Sequence, residues 1–184
     1  MTMSLKMIVL GAVAAVMIAA GSGQAAVVYA TNVDAYNPGT GVVGARGDTA
    51  NALGAVDGKF LSLGLGGSAI FSFGTKFIAK GAVFEVTWGK ISKHKEAADI
   101  YGIRNGILKM LGSITNASSG TFAFSGIFDK LMFVDTSPFG KGSKDGFDID
   151  ALNVTPASVP VPAGGLLLLS AIGGIAMLRR RKQV

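Results

Sequence analysis

Val83-Phe-Glu-Val-Thr-Trp88 alternates with period two: Phe84, Val86 and Trp88 share one face, and Val83, Glu85 and Thr87 share the other. This is the pattern of a half-buried strand, and the face holding Phe84, Val86 and Trp88 reads as core. Upstream, residues 27–33, 60–65 and 68–73 repeat the signal in shorter runs, separated by Gly, Asn and Asp. Downstream, 98–104 and 107–115 flank Asn105-Gly106, a dipeptide suited to the positive φ angles of a two-residue hairpin turn. Residues 121–125 turn Phe122 and Phe124 inward. Residues 130–135 are apolar on both faces and read as a central strand, and 147–155 is the last strand. Asp48 precedes a single predicted helical turn over 48–53, as its N-cap. No stretch between 27 and 157 keeps a helical period beyond about two turns. Eight or nine short strands predict an all-β domain, a jelly-roll-like β-sandwich over residues 26–157.

The ends of the chain differ from this middle. The protein carries 17 Lys and Arg against 11 Asp and Glu, for a net charge of +6. Lys6 and the run Arg179, Arg180, Arg181 and Lys182 account for five of those cations, so residues 26–157 are nearly neutral. The pI near 9.7 is therefore a property of the termini and predicts no nucleic-acid partner. Lys6, an apolar stretch over 7–20 and the small residues of 21–26 predict a signal peptide, 1–25, removed by signal peptidase. Export with no Cys implies a core that is sufficient without disulfides.

Residues 158–184 have three parts: Val159, Pro160, Val161, Pro162 and Ala163; an apolar run over 163–178; and the basic end at 179–182. A 16-residue helix spans roughly 24 Å, just short of the ~30 Å hydrocarbon core, and the basic end acts as a cytoplasmic stop. The three-part order resembles the PEP-CTERM sorting tails of exported bacterial proteins, in the variant written Val-Pro-Leu-Pro-Ala with Val161 in place of Leu. The resemblance implies recognition by a membrane-embedded exosortase, a transient hold in the inner membrane by the C-terminal helix, and release to the cell surface or extracellular matrix of a Gram-negative-type bacterium.

The middle is similar, more loosely, to the discoidin and carbohydrate-binding jelly rolls of secreted proteins. That likeness is carried by Ala52-Leu-Gly-Ala-Val-Asp-Gly58, by Phe60-Leu-Ser-Leu-Gly-Leu-Gly-Gly67 and by Gly146-Phe-Asp-Ile-Asp-Ala-Leu-Asn-Val154. Val56 stands where the usual motif has Pro.

No catalytic constellation is read. A Cys nucleophile is impossible, and the one histidine, His94, lies in the charged loop Lys93-His94-Lys95-Glu96 and reads as solvated. Asp145 and Asp148 read as loop caps in water. Asp150 lies within an apolar strand, where an unpaired charge is costly. Asp57, Asp148 and Asp150 are therefore candidate ligands for a structural calcium, an ion that prefers carboxylate and carbonyl oxygens. Lys90, Lys93, His94 and Lys95, with Trp88 beside them, form a candidate glycan contact whose charge would attract an acidic polysaccharide. The expectation is an exported, non-enzymatic structural or adhesive surface protein, with an exopolysaccharide-binding module as alternative and an unrecognised hydrolase as the second.

Overall fold

The computed structural model describes residues 26–157 apart from 88, 89, 92, 119 and 140–143. The signal segment 1–25, the tail 158–184 and Trp88 lie outside the described residues. In chain order the strands are β1 (Val28–Tyr29), β2 (Asn32–Asn37), β3 (Leu61–Ser62), β4 (Ser68–Glu85), β5 (Ala97–Arg104), β6 (Ile107–Thr115), β7 (Thr121–Asp135) and β8 (Asp148–Pro156). Two 3-10 turns, Gly44–Gly47 and Thr49–Ala52, lie between β2 and β3. The fold is all-β, and each ladder is antiparallel, in the order β1-β8-β4-β7-β5-β6, with β2 on β4 and β3 on β8.

Two long strands make this a sandwich. The first part of β4, from Ser68 to Ser72, pairs with β2 and with Val134 to Lys130 of β7. Its second part, from Phe77 to Glu85, pairs with β8 and with Phe128 to Thr121 of β7. The β4–β7 ladder breaks register between Ser72 and Phe77, where Gly74 takes φ 67, a left-handed angle that glycine adopts without strain. Each long strand thus bends at a corner and serves both layers. Between them lie Phe71, Phe77, Leu131, Phe133 and Ile100, with Leu61, Leu63, Ile149, Leu152 and Val154, all fully buried. The rings of Phe71 and Phe133 meet edge to face at 5.9 Å.

Several expectations hold to the residue. The β5–β6 hairpin turns at Asn105 (φ 52) and Gly106 (φ 78), and Asp48 accepts the Ala50 N–H at 3.0 Å as N-cap of the second 3-10 turn. Strand β7 lies between β4 and β5. Phe122 is buried, and half-buried Phe124 stacks on it.

Two expectations are corrected. Of the runs 68–73 and 83–88, read as separate strands, residues 68–73 and 83–85 belong to one strand, which ends at Glu85. Its facing is also reversed: Val83 is buried, whereas Phe84 is 37% exposed. Beyond the irregularities at Ile78/Lys80 on the β7 side and Ile78/Gly81 on the β8 side, Val83 pairs with Leu152 and Phe84 with Ala151 of β8, and this register puts Val83 on the core face. With apolar residues at both 83 and 84, the local pattern could not choose between the two faces.

Candidate functional site

The sandwich has a corner end, at the β4 and β7 bends, and an opposite end where β4 stops, β5 and β8 start and β6 and β7 finish. Most of the polar residues singled out from the sequence collect at the opposite end.

Four aspartates are buried there: Asp135, Asp145, Asp148 and Asp150. A buried carboxylate is tolerable when donors surround it. Asp150 accepts the backbone N–H groups of Asp57 and Gly58, at 3.1 and 2.9 Å, one on each oxygen. Asp135 accepts the N–H of Gly66 and of Phe147, both at 2.9 Å, and the Ser137 hydroxyl. Asp145 pairs with Arg46, whose guanidinium also lies 5.5 Å from the Phe60 ring centroid. These groups tie distant loops to the end of the sandwich.

Asp148 is different. It is 2% exposed, and its Oδ1 has no hydrogen-bond partner among the described residues. Burial raises its pKa to about 7, against the opposing pull of the Ser62 hydrogen bond and of Arg46; the charges of Glu85 and Asp135 push it further up. Burial also raises Tyr36, with Asp148 adding to the shift. The reading of Asp145 and Asp148 as solvated caps is therefore corrected: β3 and the first 3-10 turn cover both.

The three candidate calcium ligands do not converge. Asp57 is exposed, and the Lys59 N–H at 2.9 Å, with the Lys59 ammonium at 3.4 Å, holds its carboxyl below the usual range. It reaches Asp150 only through its backbone. Among the described residues, no group of three or more His, Asp or Glu is placed to hold a metal ion.

The cationic loop is ordered by a residue the sequence reading passed over. Asn116, at the end of β6, is 9% exposed. Its amide nitrogen donates to the His94 carbonyl at 2.7 Å and to Thr87 Oγ1 at 3.1 Å, and its amide oxygen accepts the Glu96 N–H at 3.2 Å. Within the loop, the N–H groups of Lys93 and His94 both donate to the Lys90 carbonyl, at 2.8 and 3.1 Å. The backbone is thereby pinned at Lys90, Lys93, His94 and Glu96, and Lys90, Lys93 and Lys95 stand exposed around half-buried His94. No sequence pattern announces Asn116, because its partners lie 20 to 29 residues away.

Two clefts flank Asn116. One, of about 570 Å³, is mostly apolar and lined by Ile91, Lys95, Ala97, Ala117 and Pro138. The other, of about 270 Å³, lies between Val56, exposed Phe84, Glu85, Ser118 and Asp150. The arrangement offers exposed positive charge on a hydrogen-bonded backbone beside apolar and amide surface. Such a surface suits an extended anionic chain carrying apolar patches.

No protein-family model matches the chain. No curated protein matches it. Among solved structures it is similar to a truncated AlyQ with CBM32 and alginate lyase domains, at 13% identity and a TM-score of 0.42, covering 74% of this chain and 36% of that one. It is also similar to a GH31 CBM32-2 domain bound to GalNAc, at 13% identity and a TM-score of 0.38, covering 71% of this chain and 97% of that one.

Proposed function

We propose that this is an exported, non-enzymatic surface protein whose sandwich adheres to an acidic exopolysaccharide through Lys90, Lys93 and Lys95. The pinned turn carries the reading: Asn116 fixes its backbone, so three cations are presented without the entropy loss of ordering a loose loop on binding. Each exposed charge contributes weakly, on the order of 0.2–1 kcal/mol. Useful retention therefore comes from many copies on one polymer, where effective concentration replaces intrinsic affinity.

In this reading residues 1–25 are a signal peptide, 26–157 the adhesive domain, and 158–184 a tail recognised by an exosortase-type enzyme. Among the described residues no helix is long and apolar enough to cross a membrane, so in this reading the tail supplies the hold in the bilayer before processing. The composition of 163–178 and the cations at 179–182 support that role.

The test takes the mature protein from the cell envelope, measures its intact mass and applies it to a polyuronate column. The expected product runs from about residue 26 to about 162, binds at low salt and elutes as salt rises. Changing Lys90, Lys93 and Lys95 together to Gln should abolish retention without shifting Tm. Equal retention of both proteins overturns the glycan reading, and a mass that still includes Arg179 to Lys182 overturns tail processing.

A further inference from the structure

The corner end carries a cluster of exposed aliphatic side chains that the core does not use. On the β5–β6 hairpin, Ile107 is 73% exposed, Leu108 50% and Met110 53%. Ile107 and Ile127 line a shallow groove of about 320 Å³ with Arg104, Lys109 and Gly126. Lys76, Arg104 and Lys109 are exposed at this end. The half-buried Asp129 accepts the Asn105 N–H at 3.1 Å, which holds the hairpin tip against β7. The tip is thus apolar on both faces and ringed by cations, the composition of a segment that sits at the interface of a membrane with anionic headgroups.

The ladder says which way this end faces. Phe128 pairs with Phe77, and Phe77 pairs with Pro156, so the chain leaves the last strand at the same end as the hairpin tip. From Pro156 the apolar run at Ala163 is seven residues away, at most ~25 Å of extended chain. A tether of that length keeps the corner end, where the chain leaves the sandwich, within ~25 Å of the apolar run. The nine residues of β8 hold the opposite end ~25 Å further out, well beyond the ~5–10 Å depth of interfacial contact.

From this we infer that, while the tail holds the chain in the membrane, the corner end docks on an anionic lipid surface through Ile107, Leu108 and Met110, flanked by Lys76, Arg104 and Lys109. The inference rests on the membrane reading of the tail, and it leaves the Lys90–Lys95 turn pointing away from the membrane.

The protein has no Cys, so single-site labelling is direct. The chain retaining its tail, carrying either Leu108→Cys or Lys59→Cys with an environment-sensitive dye, is reconstituted into phosphatidylglycerol-containing vesicles with spin-labelled lipid. Docking predicts a blue shift and quenching at 108, none at 59, and loss of the effect at 108 when Lys76, Arg104 and Lys109 are changed to Gln. Carbonate extraction tests the tail separately. A chain that resists carbonate with position 108 unquenched overturns docking and leaves the tail reading intact. A chain stripped by carbonate whose dye at 108 was quenched beforehand supports docking and overturns the tail reading. A stripped chain with no quenching overturns both.

Discussion

Replacing Asp148 by Asn deletes a titration that this fold makes expensive. The carboxyl is held neutral in the folded protein up to about 7, whereas in the unfolded chain it ionises near 3.8. Between those values the folded state binds a proton that the unfolded state does not, so stability falls as pH rises. About three pH units at ~1.4 kcal/mol each amount to ~4 kcal/mol lost by pH 7, a large share of the 5–15 kcal/mol typical of a domain. Asn has nearly the same shape and no charge. Urea unfolding at pH 5, 6, 7 and 8 should show the parent protein losing ~3 kcal/mol between pH 5 and 7 while Asp148→Asn stays level. At pH 8 the variant should then be the more stable protein by up to ~4 kcal/mol. Asp34, held low mainly by its hydrogen bond with Lys130, titrates below this window and leaves the comparison undisturbed. Parallel pH profiles for the two proteins would refute the account of Asp148, as would a variant less stable than its parent at pH 8.

Two further outcomes follow from the same end of the sandwich. Asp150→Ala strips the acceptor from two backbone N–H groups and should cost ~2–4 kcal/mol, read as a lowered Tm; chelator should leave both proteins unmoved, since backbone donors occupy both carboxylate oxygens. Asn116→Ala should speed amide hydrogen exchange at Lys93 and His94 and weaken retention on the polyuronate column although no charge is removed; unchanged exchange would show that the turn holds its shape without Asn116.

Local chemistry was the legible part of this sequence. Asn105-Gly106 named its own turn, residues 107–115 were bounded by breakers on both sides, and Asp48 capped the turn it preceded. These features depend on neighbours within a few residues. What was not legible depends on partners far along the chain. The facing of Val83 and Phe84 is set by their pairing with Leu152 and Ala151 of β8, and the burial of Asp145 and Asp148 by a cover of residues some 85 to 100 positions earlier. The same holds for Asn116, an unremarkable residue at a strand end whose three side-chain bonds all go to the segment 87–96. Asp150 was the instructive intermediate case. Its position in an apolar strand correctly signalled that something must satisfy it, but pattern alone could not separate a metal ion from two backbone N–H groups.

The pairing of β1 with β8 bears on when the protein can fold. Val28 and Tyr29 find their partners only at Val154 and Asn153, and β4, spanning both layers, needs β8 along half its length. Contacts of such long sequence separation form slowly, because loop closure must precede them. During synthesis or passage through a pore, the chain would remain an open, unclosed meander until residues 148–156 emerged. The apolar run begins at Ala163, seven residues after Pro156, so closure of the sandwich and the arrival of that run are nearly simultaneous events. A stalled or truncated chain lacking β8 would expose the edge of β4 and the aromatic faces of Phe71, Phe77 and Phe133 together, the kind of surface that quality-control proteases and chaperones seize. The last strand thus works as a completion check on the sandwich.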